Sequence, residues 1–239
     1  DLDATRCRKE FEQAIFDDVA WLGLDFAPPV RRQSEHLADY ARALEALRAQ
    51  GLLYPCFCTR KEIQAEVARA SSAPQGPDGP IYPGRCRALG AKERADRIAR
   101  GEAYALRLDL AAAIARAGAL RLHERGRGWL DAQPQGFGDV VLARKDTPAS
   151  YHLAVVVDDA AQGVTLVTRG EDLLPAAQLH RLLQALLGLP VPEWRHHRLV
   201  GDESGKRLAK RDGATSLAAL RDSGLSPAAL RELAEKSLI

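Results

Sequence analysis

Residues 151–173 read YHLAVVVDDAAQGVTLVTRGEDL, and how this stretch is read decides the fold. Residues 151–157 form a near-continuous apolar run, the pattern of a strand covered on both faces. Asp158, Asp159 and Gly163 bound a turn, and residues 164–168 supply a second strand. A helix follows over 175–187, with Leu179, Leu182, Leu183, Leu186 and Leu187 facing inward and Gly188 behind it. Residues 140–142 are a further short apolar strand. Strands alternating with a helix in this way predict an α/β domain with a largely parallel sheet.

Upstream, residues 5–22 carry Phe11, Ile15, Val19 and Leu22 at helical spacing and stop at Gly23. Residues 35–50 repeat the pattern with Leu37, Tyr40, Ala41, Leu44 and Leu47, and Gly51 ends it. A short helix is expected over 60–70. The segment SSAPQGPDGP, residues 71–80, is rich in breakers and reads as an exposed loop. Ser226 and Pro227 open a last helix as cap and first position. The expected division is a first part of the α/β core over 1–51, an insertion with its own small fold over 52–120, a second half of the core over 121–200, and a loop with a helical end over 201–239.

The chain has 239 residues, 46% of them hydrophobic and 28% charged, enough for one substantial core. A net charge of +2 permits a local nucleic-acid patch without arguing for one. No apolar run approaches the ~20 residues of a membrane span, and no secretory signal stands at the front. Four cysteines in such a length do not resemble a secreted disulfide framework, so a cytoplasmic setting is expected. The chain starts at Asp1 and holds no Met, so either residues are missing in front of it or its start is processed.

Three of the cysteines are grouped. YPCFCTR, residues 54–60, sets Cys56 and Cys58 one residue apart, and Cys86 follows 28 residues after Cys58, preceded by Tyr82. Two thiolates on a tight turn, a third on a returning loop and a phenolate oxygen could fill a tetrahedral zinc site. Spacing alone leaves this level with two small buried thiols in a core. Cys7 falls on an expected helix and reads as structural.

Several segments together carry a family likeness. YHLAVVVDD (151–159) and VTRGEDL (167–173) resemble the core of glutamyl-tRNA synthetases. DLDATR at the start resembles the tail of their RIEDLD-type segment. GKRLAKRDG (205–213) resembles their second ATP motif, commonly KLSKR, with Arg207 for the first Lys and Ala209 for the usual Ser. The resemblance implies a Rossmann-type class I aminoacyl-tRNA synthetase catalytic domain with a small zinc-containing insertion and a short helical C-terminal part.

The Cys-x-Cys and Tyr-x-x-x-Cys pattern, and the 29 residues after Lys210, favour the shorter branch of that family. In that branch Tyr is a recognised zinc ligand, so Cys56, Cys58, Tyr82 and Cys86 are implied to hold structural Zn2+. The implied activity is ATP-dependent activation of glutamate without tRNA, then transfer of the glutamyl group to queuosine in the anticodon of tRNA(Asp). Tyr151 and Arg169 are implied to bind glutamate, Arg169 by a charge-assisted pair with its carboxylate. Lys210 is implied to be catalytic, stabilising phosphate charge, with Arg207 beside it on ATP, and Mg2+ is expected with the nucleotide. A monomer is expected, with no membrane partner. Arg31, Arg32, Arg195, His196, His197 and Arg198 are candidates for phosphate contact.

Two other readings stay open: a trimmed glutamyl-tRNA synthetase catalytic domain, and a synthetase-like tRNA-binding protein without catalysis. The family's first, HIGH-like ATP motif lies outside this sequence, and is expected upstream if the chain is an enzyme.

Overall fold

A computed structural model describes residues 1–2, 7–26, 28–69, 75–201 and 215–236. Contacts divide the chain into two compact units. One comprises residues 1–35, 170–172 and 197–239; the other comprises 36–169 and 173–196.

In the first unit, helix α1 runs Lys9–Trp21. Its N-terminal Phe11 and Ile15 are exposed, so the predicted apolar face is covered only toward Val19 and Leu22. Cys7 precedes the helix and is exposed, which corrects its assignment to a helical, structural position.

The second unit opens with α2, Leu37–Ala49. Tyr40, Leu44 and Leu47 recur at helical spacing and are its buried face. Strand β1 follows at Leu53–Cys56 and helix α3 at Arg60–Arg69. The breaker-rich segment is no open loop where it is described: β2, Gln75–Gly76, and β3, Gly79–Pro80, make a two-stranded hairpin. A Cβ on Gly76 would meet the carbonyl oxygen of Gly136 at 2.5 Å, so the hairpin lies against the 3-10 turn Pro134–Phe137 at glycine-only distance.

Helix α4, Ala91–Ala99, leads to β4, Ala105–Leu108, and α5, Leu110–Ala117, is capped by Asp109, which accepts from Ala112 N–H. Strands β5, Arg121–Glu124, and β6, Gly128–Asp131, form an antiparallel pair, and β7 is Val141–Ala143. The chain then forms α6, Tyr151–Ala161; β8, Leu166–Gly170; α7, Leu174–Leu187; and β9, Glu193–His197. Gly188 takes a left-handed φ of 64° to close α7, as its place after the last leucine predicts. The first unit resumes with α8, Leu217–Asp222, and α9, Pro227–Lys236, where Ser226 accepts from Ala229 N–H.

Among the described residues three sheets form, ordered β1-β4-β7, β2-β3 and β6-β5-β9-β8. The first joins two strands of the 52–120 segment to β7 beyond it. The largely parallel sheet predicted from alternation is not what the pairings give. Strands β5 and β9 pair in parallel, whereas β1 with β4, β4 with β7, β2 with β3 and β5 with β6 are antiparallel.

The larger correction is α6. The apolar run from Tyr151 is a helix, not a strand. It continues through Asp158 and Asp159, a turn-like pair in the sequence, to Ala161. Leu153, Ala154 and Val156 are buried among α2 and α7, and a helix covered on most sides shows no polar stripe. Asp158 is buried as well, accepting from the Tyr40 hydroxyl at 2.8 and 2.9 Å.

Candidate functional site

The cysteine turn is built by its neighbours. Thr59 and Glu62 form a reciprocal capping box at the start of α3. Thr59 N–H donates to Glu62 Oε2 at 2.6 Å, and Glu62 N–H donates to Thr59 Oγ1 at 3.2 Å. Lys145 Nζ donates to the Phe57 carbonyl between the two cysteines at 2.8 Å. Tyr54, Cys56, Phe57, Tyr82 and Cys86 then pack as one buried cluster.

The ligand atoms of Cys56, Cys58 and Cys86 all lie within 4.8 Å of one another. Cys58 Sγ is 3.5 Å from Cys86 Sγ and 3.6 Å from the Tyr82 hydroxyl. Tetrahedral zinc with ordinary bond lengths would set two sulfurs about 3.8 Å apart and sulfur and oxygen about 3.5 Å apart. The four groups therefore fit such an ion. Without a metal, burial is the main cause that pushes the Cys58 thiol up to about 11, with the Tyr82 hydrogen bond opposing it. Burial, with Cys86 beside it, also raises the Tyr82 phenol. At Cys86 burial acts upward, but hydrogen bonds from Tyr82 and the Phe57 backbone outweigh it and lower the group. Tyr82 oxygen also accepts from Cys86 N–H at 2.8 Å, which fixes the phenol in the cluster.

Asp139 ties this cluster to the rest of its unit. It is buried, accepts from the Tyr54 hydroxyl at 2.6 Å and Leu110 N–H at 3.0 Å, and pairs with Arg87 at 2.8 Å. Its own carbonyl accepts from Arg107 Nη1 at 2.6 Å, and Arg107 lies over the Tyr82 ring, 3.9 Å from the centroid.

Tyr151 and His152, at the head of α6, border a cavity of about 430 Å³ whose lining includes Asp78, Tyr82, Arg107 and Asp139. Tyr151 is half-exposed, and its hydroxyl accepts from Arg169 Nη1 at 3.2 Å. The structure thus brings Tyr151 and Arg169 together, from a helix and a strand rather than from two strands. Arg169 also donates from Nε to His196 Nε2 at 3.2 Å and from Nη1 to His180 Nδ1 at 3.3 Å. Its Nη2 is buried and has no partner among the described residues.

His196 is not a phosphate-contacting residue. Its side chain is fully buried, and Nδ1 lies 2.8 Å from Glu124 Oε2. Burial, opposed by Glu124, lowers its imidazolium. Arg32 pairs with Glu12 at 2.6 Å. Lys210 and Arg207 lie outside the described residues, as does Ala209. Sequence reading missed Asp78, Asp139, His152 and His180. A lone His or Asp in an apolar or turn-like stretch carries no local signal of a partner 28 or 74 positions away.

Residues 1–236 match the family described as tRNA synthetases class I (E and Q), catalytic domain. A glutamyl-Q tRNA(Asp) synthetase of Rhodobacter capsulatus is 48% identical over 238 residues, covering 98% of this chain and 84% of that protein. One of Nocardia farcinica is 45% identical, covering 99% and 72%. The crystal structure of a glutamate tRNA ligase from Elizabethkingia meningosepticum, in complex with its amino acid, superposes with a TM-score of 0.69 at 26% identity. It covers 89% of this chain, which spans 44% of that ligase. No helix among the described residues is long and apolar enough to cross a membrane. The chain belongs to the class I glutamyl- and glutaminyl-tRNA synthetase family, in its glutamyl-Q tRNA(Asp) synthetase branch.

Proposed function

We propose that the protein activates glutamate with ATP, without requiring tRNA, and transfers the glutamyl group to queuosine in the anticodon of tRNA(Asp). The observation that carries this reading is the 48% identity to the Rhodobacter capsulatus enzyme over nearly the whole chain. The Tyr151–Arg169 pair supports it from the geometry: a guanidinium with a buried, unpartnered Nη2 is a donor set for a carboxylate. Tyr151 holds the guanidinium and lends a hydroxyl to the amino acid.

Lys210, with Arg207, is proposed to neutralise phosphate charge as pyrophosphate leaves, with Mg2+ on the nucleotide. Cys56, Cys58, Cys86 and Tyr82 are proposed to hold structural Zn2+, because four protein ligands leave no position open for water. When bound, the ion would hold together the cluster from which Tyr82 reaches the cavity lining. The 52–120 segment is proposed as the zinc-bearing insertion between core segments 1–51 and 121–200, with 201–239 as ATP loop and helical end. The working protein is proposed to be a cytoplasmic monomer.

The test is glutamate-dependent ATP–pyrophosphate exchange by the full-length protein. Exchange without tRNA is expected, followed by labelling of queuosine-bearing tRNA(Asp) and not of the same tRNA lacking queuosine. Exchange only after tRNA is added would favour a glutamyl-tRNA synthetase catalytic domain, a reading consistent with the superposition on the Elizabethkingia ligase. No exchange by folded protein under either condition would leave a tRNA-binding protein.

A further inference from the structure

Arg169 stands in the middle of a chain of polar groups that runs from the exposed Asp78 through two buried histidines. Asp78 Oδ2 lies 2.8 Å from His152 Nε2, His152 Nδ1 lies 3.1 Å from His180 Nε2, and His180 Nδ1 lies 3.3 Å from Arg169 Nη1. On the other side Arg169 Nε meets His196 Nε2, and His196 Nδ1 meets Glu124. His152 and His180 are both buried.

The guanidinium has five N–H donors and no acceptor, and this fixes every tautomer in the chain. His180 Nδ1 must accept, so its proton sits on Nε2 and donates to His152 Nδ1. His152 then carries its own proton on Nε2 and donates it to Asp78. His196 accepts at Nε2 and donates from Nδ1 to Glu124. His152, His180 and His196 each use both ring nitrogens. Protonating His180 would place an N–H against Arg169, and burial with the Arg169 charge holds its imidazolium well below the usual histidine range. Three of the five guanidinium protons are thereby committed, to His196, His180 and Tyr151, which leaves the pair on Nη2.

We infer that Asp78, His152 and His180 are positioning residues that fix the orientation of Arg169 through a one-way chain of hydrogen bonds, reserving Nη2 for the carboxylate of the amino-acid substrate. This inference rests on the proposed glutamate-activating function. It makes the β2–β3 hairpin, which carries Asp78 on its turn, part of the amino-acid site although it is remote from it in sequence.

The test combines exchange kinetics with imidazole nitrogen NMR on the full-length protein. His152→Leu breaks the chain. His152→Gln keeps it, because an amide offers one acceptor to His180 and one donor to Asp78. His152→Leu should raise the KM for glutamate about tenfold, the scale of one lost hydrogen bond to a charged group, with the KM for ATP unchanged. His152→Gln should restore it to within about twofold. In the wild type, His152 and His180 should be neutral with the proton on Nε2, and His196 neutral with the proton on Nδ1. Equal glutamate KM values for wild type and His152→Leu would overturn the inference, as would a His152 or His180 protonated on Nδ1 at neutral pH. The NMR assignment decides the matter even if a variant fails to fold. Failure of the wild type to exchange at all would instead overturn the proposed function, and the tautomers would still test the chain.

Discussion

Replacing Asp139 with Ala should cost about 2–7 kcal/mol of stability. The structure sets that figure group by group. Tyr54 is buried, and losing its acceptor strands a phenol that cannot reach water, about 1–3 kcal/mol. Leu110 N–H, also buried, loses its partner at a similar cost. Arg87 is half-exposed, so its lost ion pair adds no more than about 1 kcal/mol. Burial, with the Asp139 hydrogen bond, raises the Tyr54 phenol, so it stays a donor throughout the neutral range. Urea unfolding of zinc-loaded protein, followed by circular dichroism, reads the change as a midpoint shift at constant slope. Tyr54→Phe and the double variant complete a cycle, with an expected coupling above about 1 kcal/mol. An Asp139→Ala variant within about 1 kcal/mol of wild type, or additive costs in the cycle, would refute the assignment of Asp139 as the tie between cluster and core.

Purified protein should contain one zinc per chain by elemental analysis, and Cys86→Ser should lose it together with at least tenfold in affinity, whereas metal-free wild type of unchanged stability would argue against a structural ion. Burial raises Asp159 to about 6 against the Arg169 charge, so the folded state binds this proton before the unfolded state does. Asp159 should therefore contribute stability as pH falls from about 6 to about 4, about 1 kcal/mol after allowance for partial exposure, read as the change in the difference between wild type and Asp159→Asn in paired urea titrations. Gly76→Ala should undock the β2–β3 hairpin, because its Cβ meets backbone at Gly136 that cannot swing aside; faster proteolysis within residues 71–80 is the readout, and unchanged cleavage counts against the close packing.

The helices at α2, α3, α7 and α9 were legible because each carries its own punctuation: a cap, a breaker, or leucines at fixed spacing. The cysteine cluster was legible for a different reason. Spacing alone left its three thiols level with a buried core, and the family resemblance singled them out with Tyr82; the structure does bring the four together. Helix α6 was not legible. A seven-residue apolar run has no helical or strand period, and only length separates the two, which the Asp158–Asp159 pair obscured by resembling a turn. The histidine chain was equally hidden, since its members come from a hairpin, two helices and three strands.

The buried carboxylate of α6 also bears on the placement of Tyr151. Tyr151 and Asp158 are seven residues apart, close to two full turns, and so lie near one line along the helix. Apolar packing around Leu153 and Val156 would tolerate a slip in rotation, since a helix apolar on most sides presents similar surfaces. The Tyr40–Asp158 hydrogen bonds do not tolerate it, because a turn by one residue, about 100°, would leave a buried carboxylate without its donor. Fixing Asp158 fixes the rotation of the whole helix, and with it the direction in which Tyr151 and His152 leave the other end. Tyr40 thus governs, from about 10 Å along the helix axis, whether Tyr151 meets Arg169. The first acid of a pair that reads as a turn in the sequence is, in the fold, what holds the rotation that brings Tyr151 to Arg169.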